Sequence, residues 1–567
     1  MKKWCVRKRY SILFVLLMFC IACHDISKSY GFYFPTDEFG YWSYAASLAG
    51  YDWSDIVSLG SYYSYGYSLI LFPVFLLCKN GVIAYRAALL VNFVLLIVSF
   101  FILQKMEKSN SPFSAAVAVF YPAWLFYAGT TFAEIVLVTL YIVICSLLGK
   151  YLKTGKNRFM VLMVLAMLYM YFVHMRAIGI LLSGIVTVAI YDFQNGRKKA
   201  KYLLVLVLCA ALVLVMGALV KKYWTDIVYD GVPGGLKNWN DYAGQIEKIA
   251  YIFTKDGWKD FIISISGKLL YLGLASFGIA YAGIGYAVSK VIRLKNDRAN
   301  YFYLFVLLTT LAAVMTCAVY TIHPGRVDTL AYGRYHEYVM PVLMITGIRA
   351  LREEKRSARG MIYGIFILLA SEAVMTWLVS VSLRENGQTA FFGNTICGIS
   401  WLYNPERFEP VLFYWKTYLV GAVLTVLSGI GIWWTGRQKG REIFLMVLVA
   451  VQIAISVRLS SMYVDASRLG CFRDTFVVQK IQELNAANSR EVYYSTDGEN
   501  FGNIGILQFM MRDTKIHIIR ENFVIENQSV QDLLLIDYRS SQAGALEKAY
   551  TRHLTSGHFS LYYNEIK

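Results

Sequence analysis

Long apolar stretches recur from Ser11 to about Ser460, each closed by a short charged loop. That alternation is the hydropathy pattern of membrane-spanning helices. Basic clusters separate the stretches at Lys2–Arg9, Lys105–Lys108, Lys150–Arg158, Arg197–Lys201, Lys290–Arg298, Arg349–Arg359 and Arg437–Arg441. The positive-inside bias places all seven in the cytoplasm, so the chain between consecutive clusters crosses the membrane twice.

This constraint assigns the spans. They are Ser11–Ile26, Gly81–Leu103, Phe113–Ala128, Ile135–Gly149, Phe159–Val173, Ala177–Tyr191, Tyr202–Val220, Leu269–Val288, Tyr303–Tyr320, Tyr335–Ile348, Met361–Ser382, Tyr414–Thr435 and Ile443–Ser460. Tyr67–Cys78 is apolar but too short to cross a core of about 30 Å, and reads as an interfacial helix. Thirteen crossings from a cytoplasmic N-terminus leave the C-terminus outside. The outer loops, Ser27–Asn80, Lys221–Lys268, Thr321–Arg334 and Leu383–Phe413, are longer than the inner ones. Function is therefore expected to face outward.

The pattern changes at Cys471. Phe472–Asn485 has helical periodicity, and Glu491–Ser495 reads as a strand. Phe501–Met511 follows as a helix, Lys515–Arg520 and Asp532–Tyr538 as strands, Ala543–His553 as a helix and Phe559–Asn564 as a last strand. Alternating strands and helices predict a small α/β domain. The expected fold is thus an α-helical polytopic membrane domain over residues 1–465, with its functional outer loop at 27–80, and an extracytoplasmic α/β domain over 470–567.

Composition agrees. Of the 567 residues 57% are hydrophobic and 16% charged, against about 25% charged in soluble domains. The formal net charge of +18 resides in loops between spans, which fits topology and argues against nucleic acid. The nine cysteines are scattered and mostly within apolar runs, as small packing residues. The basic start and first apolar segment read as an uncleaved first span.

Candidate chemistry concentrates in the outer segments. In Tyr33-Phe34-Pro35-Thr36-Asp37-Glu38-Phe39-Gly40-Tyr41-Trp42, two carboxylates follow a Pro turn. Such a pair suits a general base or a shared metal, or a helix start with acids in its first turn. Glu134 opens the fourth span, where an ionisable group is expensive unless functional or favoured by the helix dipole. His174 and Arg176 occupy an outer turn, and Lys268 opens the eighth span; both cations suit a phosphate or simple snorkelling. His323–Tyr338 carries Arg326 and Arg334 on the side where arginines are disfavoured. An anionic lipid-linked substrate explains them, as does an ion-pair network with Asp328 and Glu337.

The order of these features resembles the GT-C superfamily of membrane glycosyltransferases. That superfamily includes the protein O-mannosyltransferases of glycosyltransferase family 39, the lipid A aminoarabinose transferases and related bacterial enzymes. The resemblance rests on the acidic first loop at Asp37-Glu38, interfacial helices at Glu38–Leu48 and Tyr67–Cys78, and Tyr121-Pro122 followed by Glu134. It continues with His174-Met175-Arg176 and with Gly333-Arg334-Tyr335 ahead of Met340-Pro341. It covers about residues 1–350. It implies an inverting hexosyl- or pentosyltransferase using a polyprenyl-phosphate sugar donor and an extracytoplasmic acceptor: a cell-envelope glycan, lipid or protein. Asp37 would act as general base. Glu38 and Glu134 would orient the acceptor or help hold a divalent metal, which no His/Cys cluster here requires. Arg176, Lys268, Arg326 and Arg334 would bind phosphate, with Tyr41, His174 and Tyr335 as further substrate-binding candidates. A transporter or flippase, a glycan polymerase and a non-catalytic scaffold are the competing readings.

Overall fold

The computed structural model describes the chain except residues 1, 61–62, 108–110, 196–199, 230–242, 324–326, 354–357, 387–394, 403–414, 438–441, 488, 496–501, 520–531 and 566–567. The chain is a multi-pass helical bundle with a five-stranded sheet near its C-terminus. Among the described residues nine helices are long and apolar enough to cross a bilayer, or ten if one bent pair counts as a span.

The first half contains α1 (Lys2–Ser27), α2 (Pro35–Leu48), α3 (Ser54–Val57), α4 (Ser68–Leu77), α5 (Gly81–Met106), α6 (Pro112–Val119), α7 (Pro122–Ala128), α8 (Glu134–Thr154), α9 (Asn157–Val173), α10 (Ile178–Gln194) and α11 (Ala200–Val228). Then come α12 (Ala243–Ile252), α13 (Lys255–Ala275), α14 (Ile279–Val291), α15 (Asn300–Thr321), α16 (Met340–Arg352), α17 (Ala358–Asn386), α18 (Trp415–Arg437) and α19 (Ile443–Tyr463). The C-terminal unit holds α20 (Asp465–Ala487), β1 (Val492–Ser495), α21 (Ile504–Met510), β2 (Ile516–Ile519), β3 (Leu533–Asp537), α22 (Ala543–Ala549), β4 (Arg552–Ser556) and β5 (Phe559–Tyr563).

Four of the thirteen expected spans take another form, one of them Phe159–Val173, which lies in the 17-residue α9, shorter than those nine. Phe113–Ala128 is two short helices, α6 and α7, parted at Phe120-Tyr121 and buried throughout. Pro122 forces the break, because it disfavours helical geometry at Tyr121, whose ψ is 130°. Leu269–Val288 is bent by 110° between α13 and α14, where Phe277 and Gly278 both have positive φ. Tyr335–Ile348 is a short turn over Glu337–Val339 followed by the 13-residue α16. Helices α14 and α16 touch at backbone distance. A Cβ on Gly283 would strike the Leu343 carbonyl, and one on Gly347 the Ile279 carbonyl. Small residues at such a crossing let two apolar helices approach without gaps. Tyr67–Cys78 is, as expected, a short helix, α4, of 10 residues.

In the sheet, the order is β2-β1-β3-β5-β4. The first three strands run parallel, and β5 and β4 are antiparallel to their neighbours. Residues 552–553, expected to end a helix, instead belong to β4. This edge strand is largely exposed, so it lacks the apolar alternation that marks a strand. Its turn into β5 needs Gly557 at φ 62°. Along β3, Leu533 and Leu535 join the bundle's own apolar core, while Leu534 and Ile536 pack with Leu546 of α22. The sheet therefore shares one continuous core with the membrane helices.

Candidate functional site

Helix α2 starts without a side-chain cap. Pro35 occupies its first turn, and Asp37 and Glu38 follow. A proline there loses no helical hydrogen bond, and its fixed φ suits the turn. The two adjacent carboxylates then point to different surroundings.

Glu38 is fully buried. Its Oε1 accepts from the backbone N–H groups of Tyr33 (2.7 Å) and Phe34 (3.0 Å). Its Oε2 accepts from the Tyr85 hydroxyl (2.8 Å) and from the Thr131 N–H (2.7 Å) and hydroxyl (2.6 Å). Burial pushes its proton affinity up, opposed by these donors. The carboxylate reaches back over the start of α2, as in a capping box, and ties the first loop to the loop before α8. Its oxygens, expected to orient an acceptor or help hold a metal, are enclosed and accept five hydrogen bonds from the protein.

Asp37 keeps 27% of its side chain exposed. Its Oδ2 accepts from Arg334 Nη1 at 2.6 Å, and its Oδ1 from the Tyr63 hydroxyl at 2.5 Å. Arg334 Nε in turn donates to Glu134 Oε1 (2.9 Å), which also accepts from Arg176 Nη2 (3.0 Å). Four residues from four regions thus form one chain of charges, Asp37–Arg334–Glu134–Arg176. Glu134 and Arg176 side chains are each 2% exposed and Arg334 is 6% exposed, so Asp37 is the accessible end. Glu134 opens α8, where the helix dipole favours a carboxylate.

Aromatic rings wall this row. The Arg334 guanidinium lies 4.0 Å from the Phe132 ring centroid, and Phe132 stacks on Phe34. Arg176 lies 4.5 Å from the Tyr335 ring, which also neighbours His174. Delocalised cations over ring faces are favourable contacts. His174 Nδ1 faces the Arg176 N–H at 3.3 Å. Burial, with Arg176 and Arg334 nearby, pushes the His174 imidazole well below its ordinary range. Among the described residues Arg176 Nε and Nη1 are buried without a hydrogen-bond partner, as is Glu134 Oε2. Unsatisfied buried guanidinium donors are costly unless an anion meets them.

The other sequence candidates lie differently. Tyr41 is buried, its ring against Tyr63 and Tyr67 and its carbonyl accepting from the Ser68 hydroxyl. Lys268 is fully buried, and its ammonium donates to Ser264 Oγ and the Thr329 carbonyl, both at 2.8 Å. It braces the 327–334 loop from α13. Arg326 lies outside the described residues. Among the described residues Glu337 has no arginine partner. It is fully buried and accepts from the hydroxyls of Tyr121 (2.6 Å), Tyr127 (3.0 Å) and Tyr271. Of the two arginines for which an Asp328/Glu337 network was the alternative, Arg334 is held by Asp37 and Glu134.

Tyr63, Phe132 and the Glu337 tyrosines are not legible as site residues, because aromatics are frequent along the whole chain, and nothing local sets Thr131 apart. Among the described residues no group of three His, Cys, Asp or Glu is placed to hold a metal ion. The carboxylates that a metal would need face arginines, tyrosines and backbone N–H groups instead.

No family model and no curated protein matches the sequence. Solved structures do. Crystal structures of ArnT from Cupriavidus metallidurans, one bound to undecaprenyl phosphate and one in the apo state, superpose with TM-scores of 0.53 and 0.51 at 12% identity. The alignments span 98% of this chain and 97% and 98% of those chains. At that identity the likeness is one of fold, and the chain has the GT-C architecture.

Proposed function

We propose that this protein transfers a sugar from a polyprenyl-phosphate donor to a hydroxyl of an extracytoplasmic acceptor. The observation that carries the reading is the charge row itself: one accessible carboxylate, Asp37, ends a row holding two arginines joined by Glu134, the inner of which keeps buried donors unpaired among the described residues. An anionic leaving group and a proton-bearing nucleophile need those two features side by side. The undecaprenyl phosphate bound by ArnT on the same fold supports a donor of that class.

In the proposed step the acceptor oxygen attacks the anomeric carbon while its proton passes to Asp37. The bond from that carbon to the phosphate oxygen breaks, its electron pair stays on the phosphate, and polyprenyl phosphate leaves. Attack opposite the leaving group inverts the anomeric centre. Arg176 and Arg334 stabilise the charge that gathers on the departing phosphate, and Glu134 holds both guanidinium groups in line. Glu38 and Lys268 hold the loops that present them. Arg326 remains a candidate phosphate ligand, and Tyr335 and His174 shape the wall beside Arg176. The membrane domain over 1–465 carries the site, facing the outside together with the unit at 470–567.

The test is transfer in purified membranes with radiolabelled polyprenyl-phosphate sugars, comparing wild type with Asp37→Asn at equal expression. Transfer by wild type and its loss in the variant upholds the base role. Transfer that survives the substitution removes Asp37 as base. Wild-type protein that moves lipid-linked sugar across the bilayer without transferring it establishes the transporter reading instead.

A further inference from the structure

We infer that helix α21 of the C-terminal unit is the seat that fixes the position of the Asp37-bearing helix α2, with Gly502, Gly505 and Phe509 as positioning residues. The inference rests on the proposed function for its catalytic consequence, and on packing alone for its geometry.

Helix α2 is gripped from two sides. Asp37, Tyr41 and Tyr44 meet the tyrosines and tryptophan of neighbouring segments: Tyr63 against Asp37 and Tyr41, and Trp224 and Tyr229 against Tyr44. A second row, Thr36, Phe39 and Trp42, recurs every third residue and so shares one face. That face meets the C-terminal unit at each turn. A Cβ on Gly502 would lie 3.0 Å from Thr36 Oγ1. One on Gly505 would lie 2.9 to 3.1 Å from Phe39 atoms. The Phe509 ring is 4.8 Å from Trp42 and 4.7 Å from Phe32. The two glycines let the C-terminal backbone approach α2 where a side chain would hold it off.

The seat is itself anchored. Just past α21, Arg512 Nη1 donates to the carbonyls of Phe75 (2.7 Å) and Cys78 (3.0 Å), at the end of α4. The Arg512 carbonyl accepts from Trp53 Nε1 at 3.1 Å. Gln508 accepts from the Ile516 N–H and donates to the Thr514 carbonyl, joining α21 to β2. A shift of α21 is therefore passed to α2. Because Asp37 must keep its place relative to Arg334, a small displacement of α2 separates base from leaving group.

The experiment uses the full chain in detergent. Thr36→Cys with Gly502→Cys places two thiols close enough to cross-link under mild copper-phenanthroline oxidation. Adding Gly505→Leu drives a side chain into Phe39. The expected result is loss of the cross-link. In a Gly505→Leu chain without the added cysteines, kcat for sugar transfer falls by about 10²-fold with KM for the donor unchanged. Adding Phe39→Ala restores space, and with it both the cross-link and part of kcat. Gly544→Ala in α22, where nothing lies within 4 Å, leaves both at wild-type values. If Gly505→Leu fails to fold, Gly505→Ala carries the test with a smaller fall in kcat. A folded variant that keeps the cross-link, or one that loses it with kcat intact, overturns the inference. Wild-type protein that transfers no sugar overturns the proposed function. The seat then stands or falls on whether Gly505→Leu abolishes the cross-link and Phe39→Ala restores it.

Discussion

Asp37 and Arg334 stand 297 positions apart in the chain and 2.6 Å apart in the fold. Arg334 also binds Glu134 at 2.9 Å, so one guanidinium joins two carboxylates from separate helices. Replacing it with leucine leaves two carboxylates facing an apolar group. Removing one partner of a buried ion pair costs about 3–5 kcal/mol. Arg334→Leu is expected to lower the thermal midpoint sharply, read in detergent by intrinsic fluorescence. Arg334→Lys keeps the charge but cannot donate in two directions from one plane, and is expected to fold with impaired transfer.

Asp37→Asn and Glu38→Gln separate the two neighbouring acids. Asp37→Asn is expected to lower kcat by about 10²–10⁴-fold, the range of a lost general base, with the melting temperature near wild type. In Glu38→Gln an amide NH₂ faces donors where a carboxylate oxygen accepted. An unsatisfied buried group costs about 1–3 kcal/mol, so this variant is expected to lose stability first. Paired melting and transfer assays check both; equal melting losses in the two variants would contradict the assignment.

Lys268→Met tests the strut. Its ammonium holds Ser264 and Thr329 and is enclosed, so the donor KM is expected to stay at its wild-type value. Stability is expected to fall, because the Thr329 carbonyl loses a buried charged donor. A raised KM with unchanged melting would return Lys268 to the phosphate site.

Gly347→Val is expected to destabilise the bundle, since its side chain enters the Ile279 carbonyl across the α14–α16 crossing. Overpacking of this kind costs about 1–3 kcal/mol. Gly285→Ala, two residues past Gly283 on the same helix, has nothing within 4 Å and is the matched control in the same melting assay.

Lys515 bridges β2 to the first loop, 2.6 Å from Asp52. Burial raises the Asp52 carboxyl, but hydrogen bonds from Lys515 and Ser54 outweigh it and hold the group down to about 2. A depressed acid stabilises the fold above its ordinary value of 3.8 and loses that contribution only as pH falls toward 2. Lys515→Met is therefore expected to change stability equally at pH 5 and pH 8. The change should be small, about 0–1 kcal/mol, because the pair is exposed.

Several features are legible in the sequence itself. The apolar runs marked most of the long helices, and a 12-residue run was too short to span. The strands at Val492–Ser495 and Leu533–Asp537 showed their apolar runs. Asp37, Glu134, Arg176 and Arg334 stood out as charges placed where charge is expensive. Each of these is local physics: burial in lipid or in a sheet imposes a period on neighbouring residues, and desolvation penalises any ionisable side chain at a helix end.

Tertiary structure alone decided which of those charges meet and which acid stays open. Asp37 and Glu38 are consecutive, yet one stays partly exposed while binding the buried Arg334 guanidinium and the other is enclosed by five donors. A rotation of 100° per residue along α2 sends them to different neighbours, and those neighbours come from distant segments that no local pattern connects. The break at Phe277-Gly278 depends likewise on what surrounds it, whereas the one at Tyr121-Pro122 follows locally from the proline. An unbroken apolar run reads the same whether it crosses lipid or folds back inside protein, because both environments exclude water.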